Sequence, residues 1–432
     1  MLLLSWSAKL RIIENVRLGD IAKVISGFAF KSSEFSDEGV PVVKIANIRV
    51  GFLDLDGAQR VNPSYLEKLA DKYKVKSGDV LISLTGSHIT QPNSVVGRLA
   101  RASESVPACL LNQRAGKVIL NDKDRCDLGF LYYYLTLASL RGDIAAMASG
   151  AASQANVSPA QVETLSIDLP PRDEQMRVSS ILSAYDDLIE NNMRRIEILE
   201  EMARRLYEEW FVQFRFPGHE GVELKESELG LIPEGWEVVA LEKAVEINPK
   251  TKVERDGEKV FVPMGALSET GMVISGWEIK SGNSGAKFQN GDTLVARISP
   301  CLENGKTGFV DFLPASQPTA CGSTEFIVLR SRSLCPEMVY CLSRSDRFRE
   351  VAMKSMSGAT GRQRVRVESL VGYPIAQPEG ELVAKYHAFA QPCFKEIRGL
   401  ANKNANLRQQ RDLLLPKLIS GEIDVSDIPM PT

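Results

Sequence analysis

Seven cysteines, three histidines and the stretch Cys301–Thr307 (CLENGKT) are the first residues of this 432-residue chain that suggest chemistry. CLENGKT ends like a phosphate-binding loop, whose glycines let backbone N–H groups cradle phosphate, but Pro300 stands where the first glycine is required. A turn presenting Lys306 is the better reading. His88, His219 and His387 stand apart from Cys109, Cys126, Cys301, Cys321, Cys335, Cys341 and Cys393, and no CxxC occurs, which argues against zinc. The odd cysteine count fits reduced thiols rather than a disulfide framework. No NPPY- or DPPY-like tetrapeptide offers a pocket for a flipped adenine: Pro170-Pro171 follows Leu169 and lacks the aromatic. Neither a Gly-x-Ser-x-Gly elbow nor an Asp/Glu–Lys nuclease constellation stands out. The chain is expected to have no catalytic residues, no metal and no cofactor of its own.

What the chain does have is a framework written twice. Lys76–Thr85 (KSGDVLISLT) matches Gln289–Ser299 (QNGDTLVARIS). Ser149-Gly-Ala and Ser357-Gly-Ala open two stretches that stay in step: Val157 with Val365, Val162 with Leu370, Ile167 with Ile375, Pro170 with Pro378. A period of this length reads as duplication of a whole domain and its stalk, not as a solenoid unit. Within the globular parts, Val40–Ile45, Val80–Leu84, Lys117–Leu120, Val260–Met264, Thr293–Arg297 and Glu325–Arg330 are predicted strands. Phe130–Leu140 and Glu337–Arg344 are predicted helices, so each part is α+β. Tyr132, Tyr133 and Tyr134 sit inside the apolar pattern of their helix and are expected in the core. Trp277 is open to either packing or base stacking.

Two heptad-patterned helices follow the two domains, Asp173–Phe214 and Glu381–Ile419. Tyr185, Ile189, Asn192, Ile196, Leu199, Ala203, Leu206 and Trp210 recur at spacings of four and three, as do Ile397, Leu400, Asn404, Leu407, Arg411, Leu414 and Leu418. That is a coiled-coil seam. Pro392 and Pro416 predict kinks in the second helix. The two stalks are expected to pair antiparallel, about 60 Å long at ~1.5 Å per residue. Asn192 and Asn404 are expected to face each other and fix the register. Trp210 and Phe211 should be buried at the end of the seam.

The resulting organisation is 1–171 first domain, 172–216 helix, 217–231 connector, 232–379 second domain, 380–421 helix and 422–432 tail. The formal charge is −3, unevenly spread: residues 173–235 carry −8, leaving about +5 on the rest. Mildly basic heads on an acidic stalk suit partial contact with phosphate, completed by partners. Leu2-Leu3-Leu4 is too short for a signal peptide and no apolar span follows, so a cytoplasmic location is expected.

These residues resemble a family. Leu18-Gly-Asp-Ile-Ala, Gly27-Phe-Ala-Phe-Lys-Ser, Leu169-Pro-Pro-Arg-Asp-Glu-Gln175, the Glu190–Glu200 stretch, Ile232-Pro-Glu-Gly-Trp236 and the Arg297–Lys306 stretch look like the specificity (HsdS) subunit of type I restriction-modification systems. The resemblance covers essentially the whole chain. It implies two target-recognition domains, each reading half of a split double-stranded DNA target, with the helices setting the gap. It also implies docking of two adenine methyltransferase (HsdM-like) subunits and of motor-nuclease (HsdR-like) subunits. S-adenosylmethionine, ATP and magnesium would be bound by those partners, and the chain itself would act in phage defence without catalysis.

On that reading, phosphate contacts come from Lys and Arg, and base reading from Arg, Gln, Asn, Ser and Thr. The candidates in the first domain are Lys31, Lys44, Arg49, Thr85, Ser87, Gln113, Arg114, Gln154 and Asn156. In the second they are Arg297, Lys306, Ser323, Thr324, Thr360, Arg362, Gln363 and Arg364. An alternative is a coiled-coil scaffold whose heads bind proteins; it explains the stalks but not two heads with one framework and divergent loops. A self-contained endonuclease or methyltransferase is the third reading, disfavoured by the missing motifs.

Overall fold

The two Gly-Asp signals are turns with matching chemistry. Gly78 and Gly291 have φ of +80° and +91°, a left-handed conformation that suits glycine alone. The aspartate that follows accepts a backbone hydrogen bond across the turn, Lys76 N to Asp79 and Gln289 N to Asp292, both at 2.8 Å. Each aspartate also meets a cation from the next strand: Lys117 Nζ lies 3.1 Å from Asp79, and Arg330 Nη2 lies 2.7 Å from Asp292.

The computed structural model describes residues 13–86, 96–151, 154–359 and 361–430. It is an α+β chain that divides into two units, Met1–Asp187 with Leu407–Thr432, and Leu188–Asn406. In the first unit a four-stranded antiparallel sheet runs in the order Ala22–Ser26, Ala115–Leu120, Val80–Ser83, Leu99–Arg101. In the second the order is Val245–Ile247, Phe326–Ser331, Thr293–Ala296, Thr307–Phe309, the same topology. Each unit has a further sheet with one parallel pair, Val40–Val43 with Cys109–Leu111 and Glu258–Val262 with Thr319–Gly322. Each also closes with one antiparallel pair, Glu14–Arg17 on Ser166–Leu169 and Glu237–Ala240 on Pro374–Gln377. The matched positions Val157 and Val365, Val162 and Leu370, and Ile167 and Ile375 are all buried.

Strand ends fall within a few residues of the sequence reading. The helix expected over Phe130–Leu140 is instead two, Leu128–Thr136 and Ala138–Met147, broken at Leu137 with an extended ψ of 137°. Tyr132, Tyr133 and Tyr134 are core residues: Tyr133 donates to Asp186 at 2.6 Å, and the Tyr134 hydroxyl accepts from Asp168 N at 2.9 Å. Trp277 stacks on Phe312 with ring centres 4.4 Å apart. The segment after Pro217-Gly218 forms a hairpin, Leu224–Ser227 with Gly230–Pro233.

The long helices are Arg172–Tyr207, continued by one π turn over Glu208–Val212, and Gly380–Ser420. The second runs through Pro392 and Pro416 without a helical break. Both prolines are exposed, so water can take the carbonyls they leave free. In the first unit Arg411 pairs with Asp186, and Arg177 Nε donates to Ile428 O at 2.7 Å. In the second, Asn192 Nδ2 donates to Asn404 Oδ1 at 2.8 Å, Asn404 Nδ2 donates to Ile189 O at 3.3 Å, and Arg195 pairs with Glu396 at 3.0 Å. Numbers rise along one helix as they fall along the other, so the paired segments are antiparallel.

The seam is not a bare a/d stripe, because each unit packs its own helix segments into its core. Val178, Leu182, Leu418 and Ile419 join Leu18, Ile21, Ile82 and Phe130 in the first. Ala203, Tyr207, Phe211, Tyr386, Phe394 and Ile397 join Leu241, Val295, Tyr340 and Phe348 in the second. Tyr207, one step off the predicted seam, is buried there, while Ile196, Leu199, Leu206 and Trp210 are only partly so. Each fully buried large apolar side chain contributes about 1.5–3 kcal/mol.

Candidate nucleic-acid interface

In the second unit several predicted residues meet around one carboxylate. Arg364 holds Glu325 with both arms of its guanidinium: Nε donates to the two carboxylate oxygens at 2.9 and 3.0 Å, and Nη2 to Oε1 at 2.8 Å. Arg297 Nε lies 3.9 Å from the same carboxylate. The bonds from Arg364 hold the Glu325 carboxyl below its usual range. Backbone bonds lace the two segments together, Ser299 N to Gln363 O at 3.0 Å and Val365 N to Arg297 O at 2.9 Å. Arg362 is exposed on the turn beside them.

Arg297 and Thr324 also line a groove of about 560 Å³ with Asn248, Lys250, Thr251 and Lys287. An adjoining hollow of about 280 Å³ holds Ser323, Ser284 and Met264, and Gly285 and Thr324 belong to both. Gly285 has φ +97°, and a Cβ there would sit 1.9 Å from Gly322 O, so this wall is built from backbone. Lys250 and Lys287 have no ion-pair partner among the described residues. They were missed in the sequence, although Asn248-Pro249 is a turn signal directly before Lys250. Lys306 is half-buried, its N–H bonded to Cys301 O at 3.0 Å.

In the first unit the candidates form two groups. Thr85 is buried and donates to Asn156 Oδ1 at 2.7 Å. The exposed turn of Gln113 and Arg114 lies alongside, Leu84 N donating to Arg114 O at 3.0 Å. Gln154 lies on the strand Gln154–Asn156, which pairs with Ser149–Ala151. Arg49 pairs with Asp54 at 3.0 Å, and its charge and that of Arg141 both act on Arg98; neither Arg98 nor Arg141 was singled out in the sequence. Burial first, then the charges of Arg49 and Arg141, push the Arg98 guanidinium below its ordinary value, and its buried Nε has no hydrogen-bond partner. A cluster of like charge lowers its energy by accepting an anion. Lys44 lies apart from these, its ammonium 3.8 Å over the Phe35 ring, and burial lowers its pKa. Lys31 is exposed, its N–H donating to Glu34 at 2.6 Å. Ser87 and Thr360 lie outside the described residues, as does His88.

One sequence reading needs correction. His387 is far from Cys335 along the chain but not in the fold. The second long helix brings its Nδ1 to 2.8 Å from Glu337 Oε2, beside Cys335.

The class that this fold and groove define is a duplicated α+β framework with Lys250, Lys287 and Arg297 along a groove of its second unit. Comparison with known proteins places that framework. A family profile for the type I restriction modification DNA specificity domain matches residues 13–201. The type I restriction enzyme MjaIX specificity subunit of Methanocaldococcus jannaschii is 26% identical over 392 residues, covering 87% of this chain and 86% of that one. The EcoEI specificity subunit of Escherichia coli is 33% identical over 156 residues, 34% of this chain and 26% of its own length. The crystal structure of the type I restriction-modification system S subunit from M. genitalium shares the fold, with a TM-score of 0.56 at 16% identity over 95% of this chain and 96% of that one. Residues 13–201 thus carry a type I restriction modification DNA specificity domain, and most of the chain is similar to a type I specificity subunit. No helix among the described residues is long and apolar enough to cross a membrane.

Proposed function

We propose that the chain reads a bipartite DNA target, with residues 1–171 reading one half-sequence and 232–379 the other. The observation that carries this reading is the repeated strand order combined with different residues at matched places: Leu84, Gln113, Arg114 and Asn156 in one framework stand where Arg297, Thr324, Glu325 and Arg364 stand in the other, as the paired backbone bonds Leu84 N to Arg114 O and Arg297 N to Glu325 O align them. One scaffold with two sets of side chains suits two different half-sites. The long helices, 36 and 41 residues, act as the ruler. At ~1.5 Å per residue they are roughly 54 and 62 Å long, enough to bridge half-sites about one DNA turn, ~34 Å, apart.

The acidic outer face of the first helix docks two adenine methyltransferase subunits, with motor-nuclease subunits joining that core. S-adenosylmethionine, ATP and magnesium belong to those partners, and the assembly works in the cytoplasm. The test is selection of bound sequences from randomised double-stranded DNA, using the chain together with its methyltransferase partner. Two short specified blocks separated by a fixed unspecified gap support the reading. One uninterrupted block, or no enrichment, refutes it.

A further inference from the structure

Three potential metal ligands that are scattered in the sequence converge in the second unit. Cys335 stands at the N-cap position of the helix Pro336–Arg344, Glu337 lies in its first turn, and His387 projects from the long helix Gly380–Ser420. One ligand atom from each, a sulfur, a carboxylate oxygen and an imidazole nitrogen, lies within 4.8 Å of the other two. Tetrahedral coordination with bonds of about 2.0–2.3 Å places ligand atoms roughly 3.5 Å apart, so only small side-chain rotations separate this arrangement from a closed site.

We propose that Cys335, Glu337 and His387 bind one borderline divalent transition-metal ion of the zinc class, which fastens the second long helix to the recognition domain. The donor set selects this class: thiolate and imidazole favour zinc or cobalt over magnesium or calcium, which prefer all-oxygen shells. Charge also fits. A thiolate and a carboxylate neutralise a dication in a place where Cys335 and Glu337 are 8% and 3% exposed, and a buried net charge would be costly. The His387 side chain is 46% exposed, which leaves the fourth position open to water. Without metal the same residues form a His–Glu pair beside a buried thiol at the N-cap position, and that is the competing explanation of the cluster.

The two explanations differ in what the full chain does with cobalt. Chelator-treated chain should bind one Co²⁺ with a thiolate-to-metal charge-transfer band that zinc abolishes and magnesium leaves unchanged. At zinc concentrations near 100 times Kd, the unfolding temperature should rise by roughly 3–6 °C, the larger figure if the second unit unfolds by itself. Cys335→Ser keeps a good helix cap, and His387→Gln changes a partly exposed position, so both variants should fold. Each should lose the band and the thermal shift while retaining the melting temperature of the metal-free chain. Absence of the band in the unmodified chain overturns the proposal, as does a band that survives both substitutions.

Discussion

Replacing Arg364 by alanine is the sharpest probe of the groove, because its present partner is weak and its proposed one is strong. The Arg364 side chain is 46% exposed where it meets Glu325. An ion pair so open to water contributes only about 0–1 kcal/mol to folding. A two-armed contact from the same guanidinium to a guanine edge is worth ~1–3 kcal/mol of discrimination. Exchange of Glu325 for a base is therefore downhill, and the substitution should leave stability within about 1 kcal/mol. Specificity at one base pair of one half-site should fall by roughly 5- to 150-fold. The assay is competition binding by the chain with its methyltransferase partner, over all single-base variants of the selected target. A uniform loss across the variants would make Arg364 a phosphate contact, and no loss at all would remove it from the interface. Lys287→Ala supplies the contrast: affinity should drop evenly, with the slope of log K against log salt shallower by about 0.9.

Other outcomes follow from the same geometry. Asn192→Leu or Asn404→Leu alone should cost about 1–3 kcal/mol by leaving a buried amide short of its partner, while the double variant should recover most of it. Strictly additive losses in urea unfolding would show that the two amides are not coupled. Gly285→Ala should destabilise by on the order of 2 kcal/mol or more, since it demands φ +97° and collides with Gly322 O; an unchanged urea midpoint would contradict this. Burial raises the Glu200 carboxyl above its usual value, despite hydrogen bonds from Tyr340 and Met272 N. The folded state then holds the extra proton, so the Glu200 contribution favours folding at low pH and is lost as pH rises through the raised pKa. Glu200→Gln should therefore flatten the pH dependence of stability between mildly acid and neutral pH, and an unaltered profile would assign that dependence elsewhere.

The repeat, the long helices and the Asn192–Asn404 juxtaposition could be read from the chain because each is periodic or local. Gly78-Asp79 and Gly291-Asp292 announce their turns, and heptad spacing brings two asparagines to matching places. The groove could be read only in part. Arg297 and Arg364 were recognisable by type, but Glu325, which holds them, and Lys250 and Lys287, which complete the basic wall, come from different strands and loops. Cys335, Glu337 and His387 were invisible for the same reason: packing of helix on helix, not sequence spacing, unites them. The break at Leu137 escaped because apolar residues continue on both sides of it.

The most direct measurement is a genome-wide map of methylated adenines in cells carrying this chain with its methyltransferase subunit. The account predicts a single two-part motif with a constant gap, whose half-sequences change independently when residues 1–171 or 232–379 are exchanged for those of a relative. A continuous motif, or a domain exchange that alters both halves together, would contradict it.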